Sequence, residues 1–262
     1  MAEHLLNRIR VIPALLLKGD GLVKTVRFQK PVYVGDPVNT VRIFNEKEVD
    51  EIVVLDIEAS HTGSPPNFEK IEEIAGECFM PMGYGGGITT VDQIRKILFS
   101  GAEKVIINTS AQESPNLIRE AAAEFGSQSI VVALDVSRNL FGRYRVFTHG
   151  GRRSRRTDPV AAARQAVEAG AGEILLYSID RDGTYQGFDT GLIRRVTDAV
   201  SVPVIACGGA SSVDDFSAAV CEGGAAAVAA GSMFVFHGPH KAVLINFPDE
   251  QTLQSDFFAK CS

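Results

Sequence analysis

Short runs rich in valine, isoleucine and leucine recur along the chain at residues 11–17, 52–57, 104–107, 130–136, 174–179, 204–207 and 226–230, each shorter than a buried helix requires. Between them apolar positions recur at helical spacing, as at residues 67–74, 90–98, 116–125, 158–169, 189–200 and 213–222. Strand followed by helix, repeated, predicts a parallel sheet. Strands that are apolar nearly throughout predict helices against one face and packed side chains against the other. A further strand is expected around residues 79–84, although Pro81 and Gly83 interrupt it.

An internal repeat bears on how that sheet closes. Written without gaps, residues 84–111 lie over residues 206–233, matching Gly86 to Gly208, Gly87 to Gly209, Val91 to Val213, Asp92 to Asp214, Gly101 to Gly223 and Ser110 to Ser232. Turn, helix and following strand stay in phase, which chance agreement between glycine-rich segments does not require. A duplicated half of about four strand–helix units implies about eight in all, the number that closes a barrel. The expected fold is therefore α/β, a (β/α)₈ TIM barrel built from two half-barrels, with a doubly wound open sheet as the alternative. One domain is expected over residues 1–262, with an inserted hairpin or loop at 139–156, its strand at 144–148, and an irregular segment at 237–262 that holds a last helix at 250–260.

Composition narrows the partners more than the fold. A chain of 262 residues, 45% hydrophobic and 22% charged, suits one barrel or two small domains. A formal charge of -6 gives no global electrostatic reason to bind nucleic acid or an anionic membrane, so a small diffusible ligand is the default. No run approaches a membrane span, and residues 1–10 lack the apolar stretch of a signal peptide. Cys78, Cys207, Cys221 and Cys261 lack zinc-ligand spacing, which predicts a reduced, cytoplasmic chain without a metal. Nucleophile elbows, Walker loops and dinucleotide fingerprints are absent, and no cofactor is expected.

The candidate chemistry gathers at strand ends. Gly85-Gly86-Gly87 follows the third strand and Asn108-Thr109-Ser110 the fourth, and their counterparts are Gly208-Gly209 and Gly231-Ser232 after the seventh and eighth. Glycines admit close backbone approach, and free N–H groups at such junctions suit a phosphate dianion. Two related copies on opposite sides of the mouth predict a ligand with a phosphate at each end. Asp56 ends the second strand, Asp135 the fifth, and Asp180, Asp182 and Thr184 follow the sixth. Barrel active sites lie at that face, so Asp135 is a candidate general acid or base, while helix capping competes for the other aspartates. Arg10, Glu51, Lys104 and Glu173 each stand just before a strand. They suggest a ring across the barrel bottom, although charged residues at strand starts are commonplace. Arg152, Arg153, Arg155 and Arg156 form a basic cluster that reads as a solvated loop.

From Arg10 to about Phe236 these residues resemble the cyclase subunit of imidazole glycerol phosphate synthase. Diagnostic are Phe125-Gly-Ser-Gln128, Val131-Val-Ala-Leu-Asp135, Gly172-Glu-Ile-Leu-Leu176 and Ser178-Ile-Asp-Arg-Asp-Gly-Thr184. The resemblance implies a barrel that receives ammonia from a glutaminase subunit docked on its N-terminal face, then cyclises and cleaves a bis-phosphorylated ribonucleotide. It assigns Arg10, Glu51, Lys104 and Glu173 to a charged ammonia gate and Glu103 with Gln128 to the docking surface. It also requires two aspartates as acid and base. Asp135 matches one, but Leu16 stands in the place of the other, and leucine cannot transfer a proton. Glu58, Asp20 and Asp56 are the carboxylates available as substitutes. Lys24 of the first loop is retained, Gly21 replaces a basic residue, and Tyr177 and Cys207 replace hydroxyl side chains.

Leu15-Leu16-Leu17-Lys18, Gly21-Leu-Val-Lys24, Tyr33-Val-Gly-Asp-Pro37 and Ile43-Phe-Asn-Glu-Lys-Glu48 resemble a divergent branch of that family, associated with acetamidino modification of bacterial surface sugars. That resemblance implies a barrel and glutaminase supplying ammonia to an N-acetyl sugar amidotransferase. A working cyclase of histidine biosynthesis and a phosphosugar isomerase on the same barrel are the competing expectations.

Overall fold

In the computed structural model, which describes residues 9–238, 240 and 242–260, eight parallel strands close on themselves. They are β1 (Arg10–Lys18), β2 (Ile52–Asp56), β3 (Met82–Gly85), β4 (Lys104–Ile107), β5 (Ile130–Arg138), β6 (Glu173–Ser178), β7 (Val204–Cys207) and β8 (Ala227–Ala230). Each pairs with the next, and β8 returns to β1 with Arg10 opposite Ala227 and Pro13 opposite Ala230. The expected (β/α)₈ barrel is present, and the open sheet is excluded. Cys261 and residues 1–8 lie outside the described residues.

Around the barrel run α1 (Pro37–Glu46), α2 (Phe68–Ala75), α3 (Val91–Phe99), α4 (Pro115–Phe125), α5 (Pro159–Glu168), α6 (Thr190–Thr197), α7 (Val213–Ser217, continued by a π turn at Ala218–Glu222) and α8 (Glu250–Asp256). Their starts are written locally. Asp36, Asn67, Asp158, Asp189 and Asp249 each accept a hydrogen bond from a first-turn N–H, and Thr90 with Gln93 forms a reciprocal capping box on α3. Such caps contribute about 1 kcal/mol each.

The continuous apolar runs arise because both strand faces are buried. Val11, Leu15 and Leu17 of β1 pack outward with Phe44, Ile71 and Ile94, whereas Ile12 and Ala14 join Val53, Ile106, Val131, Leu175, Ile205 and Ala227 inside. Among the described residues no helix is long and apolar enough to cross a membrane.

Two antiparallel excursions stand at the C-terminal mouth. Tyr144–Thr148 folds back on β5, with Phe147 opposite Asp135. The other, Gly21–Val26 with Gln29–Gly35, joins β1 to α1, with Val23 opposite Leu16. Its turn places Arg27 and Phe28 at φ of 53° and 60°, a left-handed conformation costly for side-chain-bearing residues. Asp182 holds that turn: Arg27 N–H donates to its carbonyl at 2.9 Å and Phe28 N–H to its carboxylate at 3.1 Å.

Two expectations need correction. The third strand begins at Met82, because Pro81 cannot donate to a ladder and Phe79 lies outside with 86% of its surface exposed. The all-thiol chain also fails: Cys78 and Cys207 are free, but Cys221 is disulfide-bonded. Linear spacing carried no information about which sulfurs the fold brings together.

Candidate functional site

At the N-terminal end the four charges do meet. Arg10 donates to Glu51 at 2.5 Å and to Glu173 at 2.6 Å, and Lys104 donates to Glu51 at 3.0 Å and Glu173 at 2.9 Å. Signs alternate around the ring, so each cation bridges both carboxylates and each carboxylate both cations. Glu51 and Glu173 are buried, and the interior directly above is lined by Ile12, Val53, Ile106 and Leu175. Burial opposes the Arg10 charge, but the two carboxylates outweigh it and raise the guanidinium's pKa. Glu103 and Gln128 are exposed at the same end, as are Phe79, which falls within the expected third strand, and Phe99, just past the helical stretch at 90–98.

At the mouth Leu16 and Asp135 line one pocket, of about 190 Å³, together with Asp56, Gly86, Gly87, Asn108, Thr109, Ser110, Arg152 and Tyr177. Asp135 is 9% exposed, and no hydrogen bond to its carboxyl is found among the described residues. Burial, then the nearby Asp182 charge, pushes its pKa up to about 7. A carboxyl at that value can both give and accept a proton near neutrality.

Of the carboxylates available to substitute at the Leu16 position, Asp56 and Glu58 line the same pocket and Asp20 does not, and each has a partner elsewhere. Asp56 accepts from the N–H groups of Glu58 at 2.9 Å and Ala59 at 3.0 Å, capping the turn that follows β2. Glu58 pairs with Lys18 at 3.5 Å, and Asp20 is 90% exposed beside Lys70. Asp180 accepts from Ser137 at 2.6 Å and from Arg138 N–H at 2.8 Å, which is a structural tie. Thr184 donates to the Arg181 carbonyl at 2.7 Å within its own turn.

The glycine junctions are tight as well as open. A Cβ on Gly86 would lie 2.6 Å from the Asp56 Cβ, and one on Gly209 would lie 2.2 Å from the Gly187 carbonyl. Asn108 donates to the Ala133 carbonyl at 3.1 Å, and Thr109 accepts from His149 N–H at 3.0 Å, so both side chains brace the rim. Gly208, Gly209, Gly231 and Ser232 border a second, far smaller cavity with Asp182 and Tyr177. Asp182 is a buried hub: Thr25 donates to it at 2.7 Å and Tyr177 at 2.9 Å. Lys24 lies beside it, buried, donating to the Ala14 carbonyl at 2.5 Å. Burial pulls its pKa down to about 8 against the opposing attraction of Asp182. Periodicity does not reveal this hub, although Asp182 is a candidate, because Thr25, Phe28 and Lys24 reach it from the distant hairpin after β1. No metal-holding group of histidine, cysteine or carboxylate side chains occurs among the described residues.

Asp135 gives the fold a pH signature. Its pKa of about 7, against an ordinary 3.8, means that the folded state holds the proton more tightly than the unfolded chain does. Stability from this group is full below about pH 4 and is lost as pH rises through 7, on the order of 4 kcal/mol in all. Asp135→Asn should therefore melt at a higher temperature than the native chain at pH 8, by a margin that shrinks to less than half at pH 5 and closes only near pH 4. A difference that did not grow with pH would contradict the shift.

Fold and rims together define a closed (β/α)₈ barrel with a charge-sealed N-terminal end and a carboxyl at its mouth. The chain belongs to the histidine biosynthesis protein family, whose profile matches residues 10–240. It is 54% identical over 246 residues to a Pseudomonas aeruginosa protein provisionally described as imidazole glycerol phosphate synthase subunit hisF2, covering 94% of this chain and 98% of that one. A Leptospira interrogans protein provisionally described as subunit HisF is 46% identical over 250 residues, covering 95% and 98%. Subunit HisF of imidazole glycerol phosphate synthase from Alkaliphilus metalliredigens is 45% identical over 228 residues, covering 87% and 90%. This is a HisF-like barrel subunit.

Proposed function

We propose that this barrel accepts ammonia from a glutaminase subunit docked on its N-terminal face and passes it on without cyclising a ribonucleotide itself. Glu103 and Gln128 belong to the docking surface, and the ring of Arg10, Glu51, Lys104 and Glu173 is the gate. The acceptor is an N-acetyl sugar amidotransferase making acetamidino surface sugars, and the assembly works in the cytoplasm. What supports the reading is a single combination: the complete ring at one end and, at the other, Leu16 in the acid/base position, with the neighbouring carboxylates Asp56 and Glu58 tied to a turn and to Lys18.

The test is a cyclase assay on purified barrel with ammonium and the bis-phosphorylated ribonucleotide. A missing acid or base lowers the rate by roughly 10²–10⁴, so turnover at least about 100-fold below that of a two-aspartate cyclase is expected. Comparable turnover would instead support the second reading, a working cyclase of histidine biosynthesis. Asp135 favours that reading, being unpaired and near neutral in pKa.

A further inference from the structure

The two glycine rims are related by sequence but differ in the space before them. The β3/β4 rim opens on the pocket of about 190 Å³ and also borders a solvent-facing cleft of about 280 Å³ through Gly87, Ile88, Thr109 and Ser110. The β7/β8 rim faces only about 20 Å³. A single water needs roughly 10–15 Å³ on this scale, so that cavity holds about one water and no phosphate.

Two side chains account for the difference. Tyr177 lines both cavities and is the wall between them. Its ring packs edge-on against Phe28 at 4.8 Å between centroids, its hydroxyl is tied to Asp182, and a Cβ on Gly208 would approach the ring to 3.2 Å. Lys24 fills the far side: its ammonium lies 2.5 Å from where a Cβ on Gly231 would stand. Tyr177 is 5% exposed and Lys24 also 5%, so neither is a mobile surface group resting over an open site. The register is decisive here. Tyr177 lies opposite Asp135 on one neighbouring strand and Cys207 on the other, at the level where a ligand joining the two rims would cross the barrel axis.

We propose that Tyr177 is a septum that divides the mouth, so that this chain takes a singly phosphorylated ligand at the β3/β4 rim and admits none that spans both rims. This rests on the phosphate-binding reading of the glycine junctions and deepens it. The unpartnered, nine-tenths buried Asp135 carboxyl lining the open compartment is a second, independent mark of a ligand there, and it asks for a hydrogen-bond donor on that ligand. Tyr177 thereby becomes a specificity determinant that acts by excluding space, independently of proton transfer at Leu16.

Calorimetric titration with glycerol 3-phosphate and with the bis-phosphorylated ribonucleotide tests the septum. Simultaneous engagement of two sites raises affinity by roughly 10²–10⁴ over one, so a tenfold threshold separates the cases. For the native chain and Tyr177→Phe, which keeps the ring, the two ligands should bind within about threefold of each other. In Tyr177→Ser the ribonucleotide should gain at least about tenfold over glycerol 3-phosphate; thermal unfolding confirms that the variant is folded, and Tyr177→Thr replaces it if it is not. Tenfold preference for the ribonucleotide in the native chain, no binding of glycerol 3-phosphate, or no gain on opening position 177 overturns the proposal. Turnover followed in the same samples keeps the two readings apart. Tight ribonucleotide binding without turnover sinks the septum alone, whereas turnover by the native chain sinks the non-cyclising role.

Discussion

Leu16→Asp alone is expected to leave the cyclase reaction near background, whereas Leu16→Asp combined with Tyr177→Thr is expected to raise it by roughly 10²-fold or more. The first substitution restores a proton-transferring group beside the pocket that Asp135 lines, but a ribonucleotide reaching for both rims still meets the Tyr177 ring. The second removes the ring and returns the hydroxyl side chain that the cyclase resemblance implies. The effects should be strongly non-additive, since either deficit alone stops the reaction. Threonine also forfeits the contact with Phe28 and one hydrogen bond to Asp182, so a loss of about 2–4 kcal/mol in stability is expected and the assay belongs well below the melting temperature. Steady-state rates of the two single variants and the double variant decide the matter. A large gain from Leu16→Asp alone would show that the missing carboxylate was the whole defect and that the mouth is open.

Much of this arrangement is legible in the sequence, and the illegible parts share a cause. The strands were readable because both of their faces are buried, which writes them as apolar runs, and the repeat about Gly86 and Gly208 pointed to closure because each half carries the same turn chemistry. The hairpin after β1 was not readable from periodicity. Lys24 and Thr25 are buried there, whereas Val26, Val32 and Tyr33 are exposed, the reverse of what hydropathy suggests. Its conformation is held from outside, by Asp182 more than 150 positions away. The same distance hid the septum. By periodicity Tyr177 is one more strand residue, and the family resemblance marks it only as replacing a hydroxyl side chain; the closure of the barrel is what puts its ring between two rims that come from opposite halves. Asp56 shows the reverse case, in which a residue of the right type in a plausible place proves to be a cap. The charged ring lay between these extremes: four residues at strand starts are ordinary individually, and only closure of the barrel brings them within hydrogen-bonding distance.

The ring should dominate stability among surface-reachable charges. Lys104→Glu removes the cation that bridges Glu51 at 3.0 Å and Glu173 at 2.9 Å, and adds a third carboxylate facing only Arg10. Breaking a buried pair by removing one partner costs about 3–5 kcal/mol, because the charges left behind stay desolvated. In a domain of this size that corresponds to a fall of roughly 10 °C in melting temperature. Lys104→Arg keeps the charge and should lose far less, which separates electrostatics from packing. The two readouts of Lys104→Glu also differ in meaning. A melting temperature within about 2 °C of the native value would show that the four charges are independently solvated and that no closed ring exists in solution. A lowered melting temperature with undiminished co-elution of the glutaminase would keep the ring as a structural seal while placing the docking determinants elsewhere on that face, with exposed Phe79 and Phe99 the next positions to substitute. Loss of both together is the result expected from the proposed role, in which the ring seals an ammonia path beneath the docking surface.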